Sequence, residues 1–434
     1  AGRWGRGPIV PARASDIAVV RAGTRPAPTY LWVSPDRFLM PSYPASLLAR
    51  LAVRKSAGLL RRLPAPAPGL VDFASNDYLG LVHSGRLAAA VQQRLAAEPV
   101  LLRPGTTGSR LLTGNTEAAE ALEARLATHH RAEAALLFSS GYAANLGFFG
   151  SVPQRGDTVL YDEAVHASVR DGLRLGLAKS LSFRHNDLAD LEKRLRHARG
   201  TVYVAVESLY SMDGDLAPLP ELAALCQARG LFLVVDEAHT TGTHGPGGAG
   251  LTVALGLENQ VFARLLAFGK AVGAAGAAWV GPAELRTYRV NFARSFVYST
   301  GTAPLSLAAL HAAYDLLPAL DGDRAQLFAV SEALAAGLNA VPSLRTHGGR
   351  SEIIHAAILL DQARLPALAA AVRAAGFDAR AVLPPTVPVG AGRLRVIGHA
   401  HNSMKEVAGL VGSLTSSCPG RCGGWLQRGL QSAV

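Results

Sequence analysis

Residues 231–239 read Leu231-Phe232-Leu233-Val234-Val235-Asp236-Glu237-Ala238-His239, an apolar run without alternation that ends in two acids. A half-solvated strand would alternate, and a run this short falls below ordinary helix length. The pattern is that of a strand covered on both faces, with a carboxylate where the chain leaves the sheet. Runs of the same kind stand at Ala135–Phe138, Thr158–Tyr161, Val202–Val206, Arg264–Phe268 and Ala277–Val280, with helical stretches between them. Strands alternating with helices predict an α/β domain around a parallel sheet.

Working outward, residues 43–63 carry apolar side chains at helical spacing until Pro64-Ala65-Pro66-Ala67-Pro68-Gly69 breaks the pattern, and residues 70–74 resume as a short strand. After Ala303 a helical stretch reaches Leu316, and an α+β pattern follows, with strands at Ile353–Leu360 and Leu394–Ile397 around a helix near Leu365–Ala375. The expected division is an N-terminal arm or helix over 1–70 with 1–40 disordered, a large domain over 71–303, a smaller C-terminal α+β domain over 304–415, and a loose tail over 416–434.

Of the 434 residues, 49% are hydrophobic and 17% charged, an ordinary globular balance with material for a large core. The net charge of +11 is almost all arginine, since only five of the 43 basic residues are lysines. The densest basic groups, Arg54-Lys55 and Arg61-Arg62, lack the interleaved aromatics of a nucleic-acid surface, so nucleic acid is not an expected partner. A positive field also steers polyanionic substrates such as coenzyme A or an acidic carrier protein, and a merely solvated arginine surface is equally compatible. Three cysteines, Cys226, Cys418 and Cys422, are too few for a disulfide framework, which favours a reducing cytoplasm. Cys418 and Cys422 have no second pair at zinc spacing, so no metal is expected. Apolar runs stay well under the roughly 20 residues that span a bilayer, and no membrane association is expected.

Lys270 follows an expected strand inside Ala267-Phe268-Gly269-Lys270-Ala271-Val272-Gly273, surroundings that disfavour an ammonium and suit a Schiff-base lysine. Asp236 stands at a strand's C-terminal end, where open α/β sheets bind ligands, and a carboxylate there can hold a protonated pyridine nitrogen. The turn Ser139-Ser140-Gly141-Tyr142-Ala143-Ala144-Asn145 leads from strand to helix, and its N–H groups can seat a phosphate. His166, opening the next helix, can stack on a flat ring. Taken singly these are a loop lysine, a capping acid, a generic turn and a surface histidine. Their weight comes from falling after strand ends of one domain.

The combination resembles the α-oxoamine synthase family of fold-type-I pyridoxal-phosphate (PLP) enzymes. The likeness runs from about Asp72 to Leu410 through Ser75-Asn76-Asp77-Tyr78-Leu79-Gly80, Gly105-Thr106-Thr107-Gly108-Ser109-Arg110, Tyr210-Ser211-Met212-Asp213-Gly214-Asp215, Asp236-Glu237-Ala238-His239, Phe268-Gly269-Lys270 and Pro385-Thr386-Val387-Pro388. It implies a large domain with a mostly parallel seven-stranded sheet and a smaller α+β domain. It further implies PLP covalently on Lys270, Asp236 on the pyridine nitrogen, and His166 against the ring. Ser211 and His239 would lie near the phenolic oxygen, with Gly141, Tyr142 and Glu207 in the same pocket. Ser299 and Thr300 would reach the phosphate of a neighbouring subunit in a homodimer with shared sites. Arg395 would clamp the amino-acid carboxylate, and Arg61, Asn76 and Thr386 are further substrate candidates.

The segments Phe268-Gly269-Lys270 and Asn291-Phe292-Ala293-Arg294 are most similar to the biotin-pathway branch, which joins L-alanine to a pimeloyl thioester, on coenzyme A or a carrier protein, with loss of carbon dioxide. Glycine- or serine-using branches are the alternative, and a non-catalytic regulator with the same fold is the reading from another class. The chain departs from the family at Ala267, where Thr or Ser is usual, so one phosphate contact of roughly 1 kcal/mol is expected to be absent. It also departs around Gly301, and residues 1–40 and those after about 415 match nothing in the family.

Overall fold

The computed structural model describes residues 43–61, 63, 68–347, 353–359, 361–384 and 386–417. The chain divides into compact units at 1–63 and 64–434. In the first, helix α1 (Ala45–Ser56) is shorter than the periodic stretch over 43–63, because Ala57 caps it and Gly58 turns the backbone out at φ 68°.

The second unit is built on seven strands: β1 (Ala134–Phe138), β2 (Thr158–Asp162), β3 (Lys179–Phe183), β4 (Val202–Glu207), β5 (Phe232–Asp236), β6 (Ala263–Ala267) and β7 (Ala277–Gly281). Their spatial order is β1-β7-β6-β5-β4-β2-β3. All neighbours run parallel except β7, which is antiparallel to both β1 and β6. Alternate side chains point to opposite faces, and both faces are covered. On one, Leu137, Leu266, Ala278 and Val280 pack with Leu122, Leu126, Leu307 and Leu310. On the other, Leu136, Phe138, Val234, Leu265 and Trp279 pack with Phe148 and Phe149 of helix α2 (Gly141–Phe149) and Val169 and Leu173 of helix α3 (Ala167–Leu175). Burial on both faces is the reason these strands read as unbroken apolar runs.

Further along, helix α4 (Ala283–Phe292) follows β7 and helix α5 (Asp321–Asn339) leads to a second sheet. This sheet has strands β8 (Leu344–His347), β9 (Ile354–Leu359), β10 (Arg380–Val382) and β11 (Arg393–Ile397), antiparallel in the order β10-β11-β9-β8. Helices α5, α6 (Leu365–Ala374) and α7 (Met404–Ser417) bury Leu334, Leu338, Leu368, Val372, Leu410 and Leu414 in its core. Helix α7 continues through Ser417 and so takes in the first two residues of the expected tail, and the cysteines at 418 and 422 lie outside the described residues. The loop that follows β4 meets the second sheet closely at Gly214. With φ 81°, a Cβ there would stand 1.9 Å from the carbonyl oxygen of Ile354 on β9, so only glycine fits.

Candidate active site

The C-terminal ends of β1, β2, β4, β5 and β6 open on one cavity of about 390 Å³, a volume in the range of small-molecule sites. Its lining includes Asn76, Ser139, Ser140, Gly141, Tyr142, Asn145, His166, Ser168, Glu207, Asp236, Ala238, His239, Ala267 and Lys270. Lys270, Asp236, His166, His239, Glu207, Gly141, Tyr142 and Asn76 are thus brought together from segments that the sequence separates by up to 194 positions (76 to 270).

Each side chain is placed by the end of its element. At the β1–α2 turn, Ser140 caps α2 by accepting the N–H of Ala143 at 3.1 Å on its hydroxyl and that of Ala144 on its carbonyl, which leaves the Gly141 and Tyr142 N–H groups at the positive end of the helix dipole. Gly141 keeps this edge low, since a Cβ there would come 3.6 Å from the Cβ of Ala267. Asp236 is the last residue of β5 and accepts the N–H of Ala238 at 3.0 Å. On α2, Asn145 follows Gly141 by four positions and hence lies on the same face, and its Nδ2 donates to both Asp236 Oδ2 at 3.0 Å and Ser168 Oγ at 2.9 Å. Ser168 lies 2.7 Å from His166 Nδ1, and its N–H also donates to that nitrogen. With Nδ1 occupied as an acceptor and burial lowering its pKa, against the pull of Asp236, His166 is neutral and carries its proton on Nε2.

Glu207 ends β4 directly across the ladder from Asp236 and accepts the His166 N–H at 2.5 Å. Burial and then the neighbouring Asp236 charge push its pKa well above the usual carboxylate value. Burial lowers the pKa of Lys270, although Asp236 and Glu207 pull it upward. His239 is held well below its ordinary value by burial and then by Lys270. The cavity therefore presents an amine that gives up its proton more readily than a free lysine, beside two imidazoles whose charged forms burial disfavours.

Several candidates lie elsewhere. The Ser211 side chain does not line the cavity, but its carbonyl accepts Arg395 Nε at 2.8 Å. Arg395 on β11 reaches the lining through Asn76, donating from Nη2 to Oδ1 at 3.1 Å. Ser299 and Thr300 are outside this chain's cavity, with Thr300 bridged to Ser109. Thr386 is exposed beyond β10 and away from the lining. Arg61 belongs to the N-terminal unit. Asn145, Ser168 and Tyr78 were not singled out from the sequence. The Gly141–Asn145 spacing of one helical turn is the signal that could have found the first of them.

The aminotransferase class I and II family matches residues 68–414. The chain belongs to that family. An 8-amino-7-oxononanoate synthase of Emericella nidulans is 38% identical over 405 residues, covering 88% of this chain and 96% of that one. A protein of the same name from Anaeromyxobacter dehalogenans is 40% identical over 384 residues, covering 86% and 95%. Among solved structures, a serine palmitoyltransferase from Sphingomonas wittichii superposes with a TM-score of 0.77 at 29% identity, covering 88% and 98%. The fold is that of the fold-type-I PLP-dependent transferases, α/β with the mostly parallel seven-stranded sheet that the sequence implied. Among the described residues, no group of three or more His, Cys, Asp or Glu side chains is placed to hold a metal ion.

Proposed function

We propose that this chain is an 8-amino-7-oxononanoate synthase, joining L-alanine to a pimeloyl thioester with release of the thiol and carbon dioxide. The observation that carries the reading is the convergence of Lys270, Asp236, His166 and His239 on one cavity, in a chain 38–40% identical over most of its length to proteins of that name.

The cavity fits PLP. The N–H groups at the start of α2 suit its phosphate, Gly141 leaves room above Ala267, and Asp236 offers a carboxylate braced by two donors to a pyridinium N–H. Lys270 would hold the cofactor and His166 would lie against its ring, with His239 on the phenolic side and Tyr142 and Glu207 completing the pocket. When bound, PLP supplies an electron sink. The chain's own part is then positional and acid–base. Arg395 binds the alanine carboxylate with its planar fork, and Asn76 holds that fork in place. The Lys270 amine takes the alanine Cα proton, and His239 moves protons at the acyl carbonyl.

The same reading includes a homodimer in which Ser299 and Thr300 complete the partner's phosphate seat, since both lie outside this chain's cavity beside exposed Tyr298. It also includes a cytoplasmic location and domain limits at 71–303 and 304–415. No helix among the described residues is long and apolar enough to cross a membrane.

The test is incubation with PLP, L-alanine and pimeloyl-CoA, with mass detection of the product. 8-Amino-7-oxononanoate is expected with alanine. Product with serine or glycine instead would move the chain to another branch of the family. Lys270→Ala is expected to abolish the visible absorbance of bound PLP, and an unchanged spectrum would overturn the assignment of that lysine.

A further inference from the structure

Arg395 on β11 and His239 beyond β5 are joined by hydrogen bonds through two side chains of the loop that follows Asp72. Arg395 Nη2 donates to Asn76 Oδ1 at 3.1 Å, Tyr78 Oη donates to the same oxygen at 3.1 Å, and Tyr78 Oη lies 2.6 Å from His239 Nδ1. Tyr78 is fully buried, and burial raises its pKa, so the phenol keeps its proton. It has one proton to give. Asn76 Oδ1, fixed by the guanidinium, accepts it, so the contact with His239 needs a proton on Nδ1 and the Tyr78 oxygen as acceptor. Burial keeps the His239 ring neutral, which leaves the lone pair on Nε2.

We propose that Tyr78 is a positioning residue that fixes the tautomer of His239 from the side of Arg395, so that His239 offers Nε2 to the cavity as a proton acceptor. Tyr78 does not line the cavity and acts only through the histidine. The chain of contacts makes the acid–base form of His239 depend on Asn76 staying on Arg395. Without Asn76, the Tyr78 proton turns to Nδ1, and the ring, exchanging with water, carries its proton on Nε2 instead. Its charge is unchanged.

The inference rests on reading the cavity as the site of condensation, but its test reads the ring directly. The whole chain labelled with 15N-histidine is examined by two-bond 1H–15N correlation, with His239→Gln to assign the signals. The expected result is an Nδ1-protonated His239 in the unsubstituted chain and an Nε2-protonated ring in Asn76→Ala. Tyr78→Phe is expected to lose the Nδ1 preference and to lower kcat roughly tenfold or more, with KM for the thioester unchanged. A ring protonated on Nε2 in the unsubstituted chain, or an Asn76→Ala variant that keeps the Nδ1 form, overturns the proposal. If Tyr78→Phe does not fold, the Asn76→Ala comparison decides. A chain that shows the Nδ1 form but condenses no alanine counts against the proposed reaction and supports the role of Tyr78.

Discussion

Asn145 Nδ2 stands 3.0 Å from Asp236 Oδ2, tying the middle of α2 to the acid at the end of β5. The same nitrogen meets Ser168, whose hydroxyl and N–H face His166. One carboxamide therefore braces both the acid assigned to the pyridine nitrogen and the imidazole assigned to the ring. Removing it leaves Asp236 Oδ2 without that donor in a buried site, at a cost of about 1–3 kcal/mol. Asn145→Ala is expected to weaken PLP binding about tenfold or more, read by titrating the cofactor absorbance. Asn145→Asp, which sets a second carboxylate beside the first, should weaken it further. Equal affinity in all three chains would show that the brace is idle.

Ala267 ends β6 on the cavity wall, with its Cβ 3.6 Å from the place a Gly141 Cβ would occupy, beside the N–H groups assigned to the phosphate. A hydroxyl at 267 would stand next to that seat. Ala267→Ser is therefore expected to tighten PLP binding by about 1 kcal/mol, or several-fold, as measured by cofactor loss during dialysis. A variant that loses PLP as fast as the parent chain would mean that the phosphate is already fully satisfied by other donors.

The strands buried on both faces were legible because covering both faces leaves no polar positions. The edge strand Lys179–Phe183 was not, since its exposed Lys179 and Ser180 carry no such signature. Nor was the reversed direction of β7, because an apolar run reads alike in either direction. In the site, Lys270, Asp236 and His166 stand at strand ends where the local pattern points to a crevice. Tyr78 and Asn145 escaped notice because their roles depend on partners 161 and 91 positions away. Ser211 was expected by its side chain and is engaged by its carbonyl, a distinction that no motif carries.

Arg289 on α4 is 1% exposed, and its guanidinium lies 4.8 Å from the ring centre of Phe138 and 5.3 Å from that of Trp279. Its Nε and Nη2 are buried and find no hydrogen-bond partner among the described residues, and burial pushes its pKa well below the ordinary value. Cation–π attraction of about 2 kcal/mol does not offset the several kcal/mol needed to bury an unpaired charge. Arg289→Met, which keeps the bulk and drops the charge, is expected to stabilise the fold by about 1–3 kcal/mol in denaturant unfolding. A clear loss of stability in this variant would mean that the rings depend on the cation.

His355 on β9 is 1% exposed, with Nε2 2.8 Å from Ser331 Oγ, and burial lowers its pKa from 6.5 to about 4. The unfolded chain takes up a proton on this ring near 6.5, whereas the folded chain resists until about 4. Between those values the unfolded state binds more protons, so stability is complete above the window and falls as the pH drops through it. The shift corresponds to stability on the order of 3 kcal/mol. His401 is lowered to about 4 by burial as well and steepens the loss in the same range. His355→Gln keeps a hydrogen-bonding side chain that does not titrate there, so its unfolding free energy should fall less steeply between pH 6.5 and 4 than that of the parent chain. Parallel pH profiles would place the acid sensitivity elsewhere.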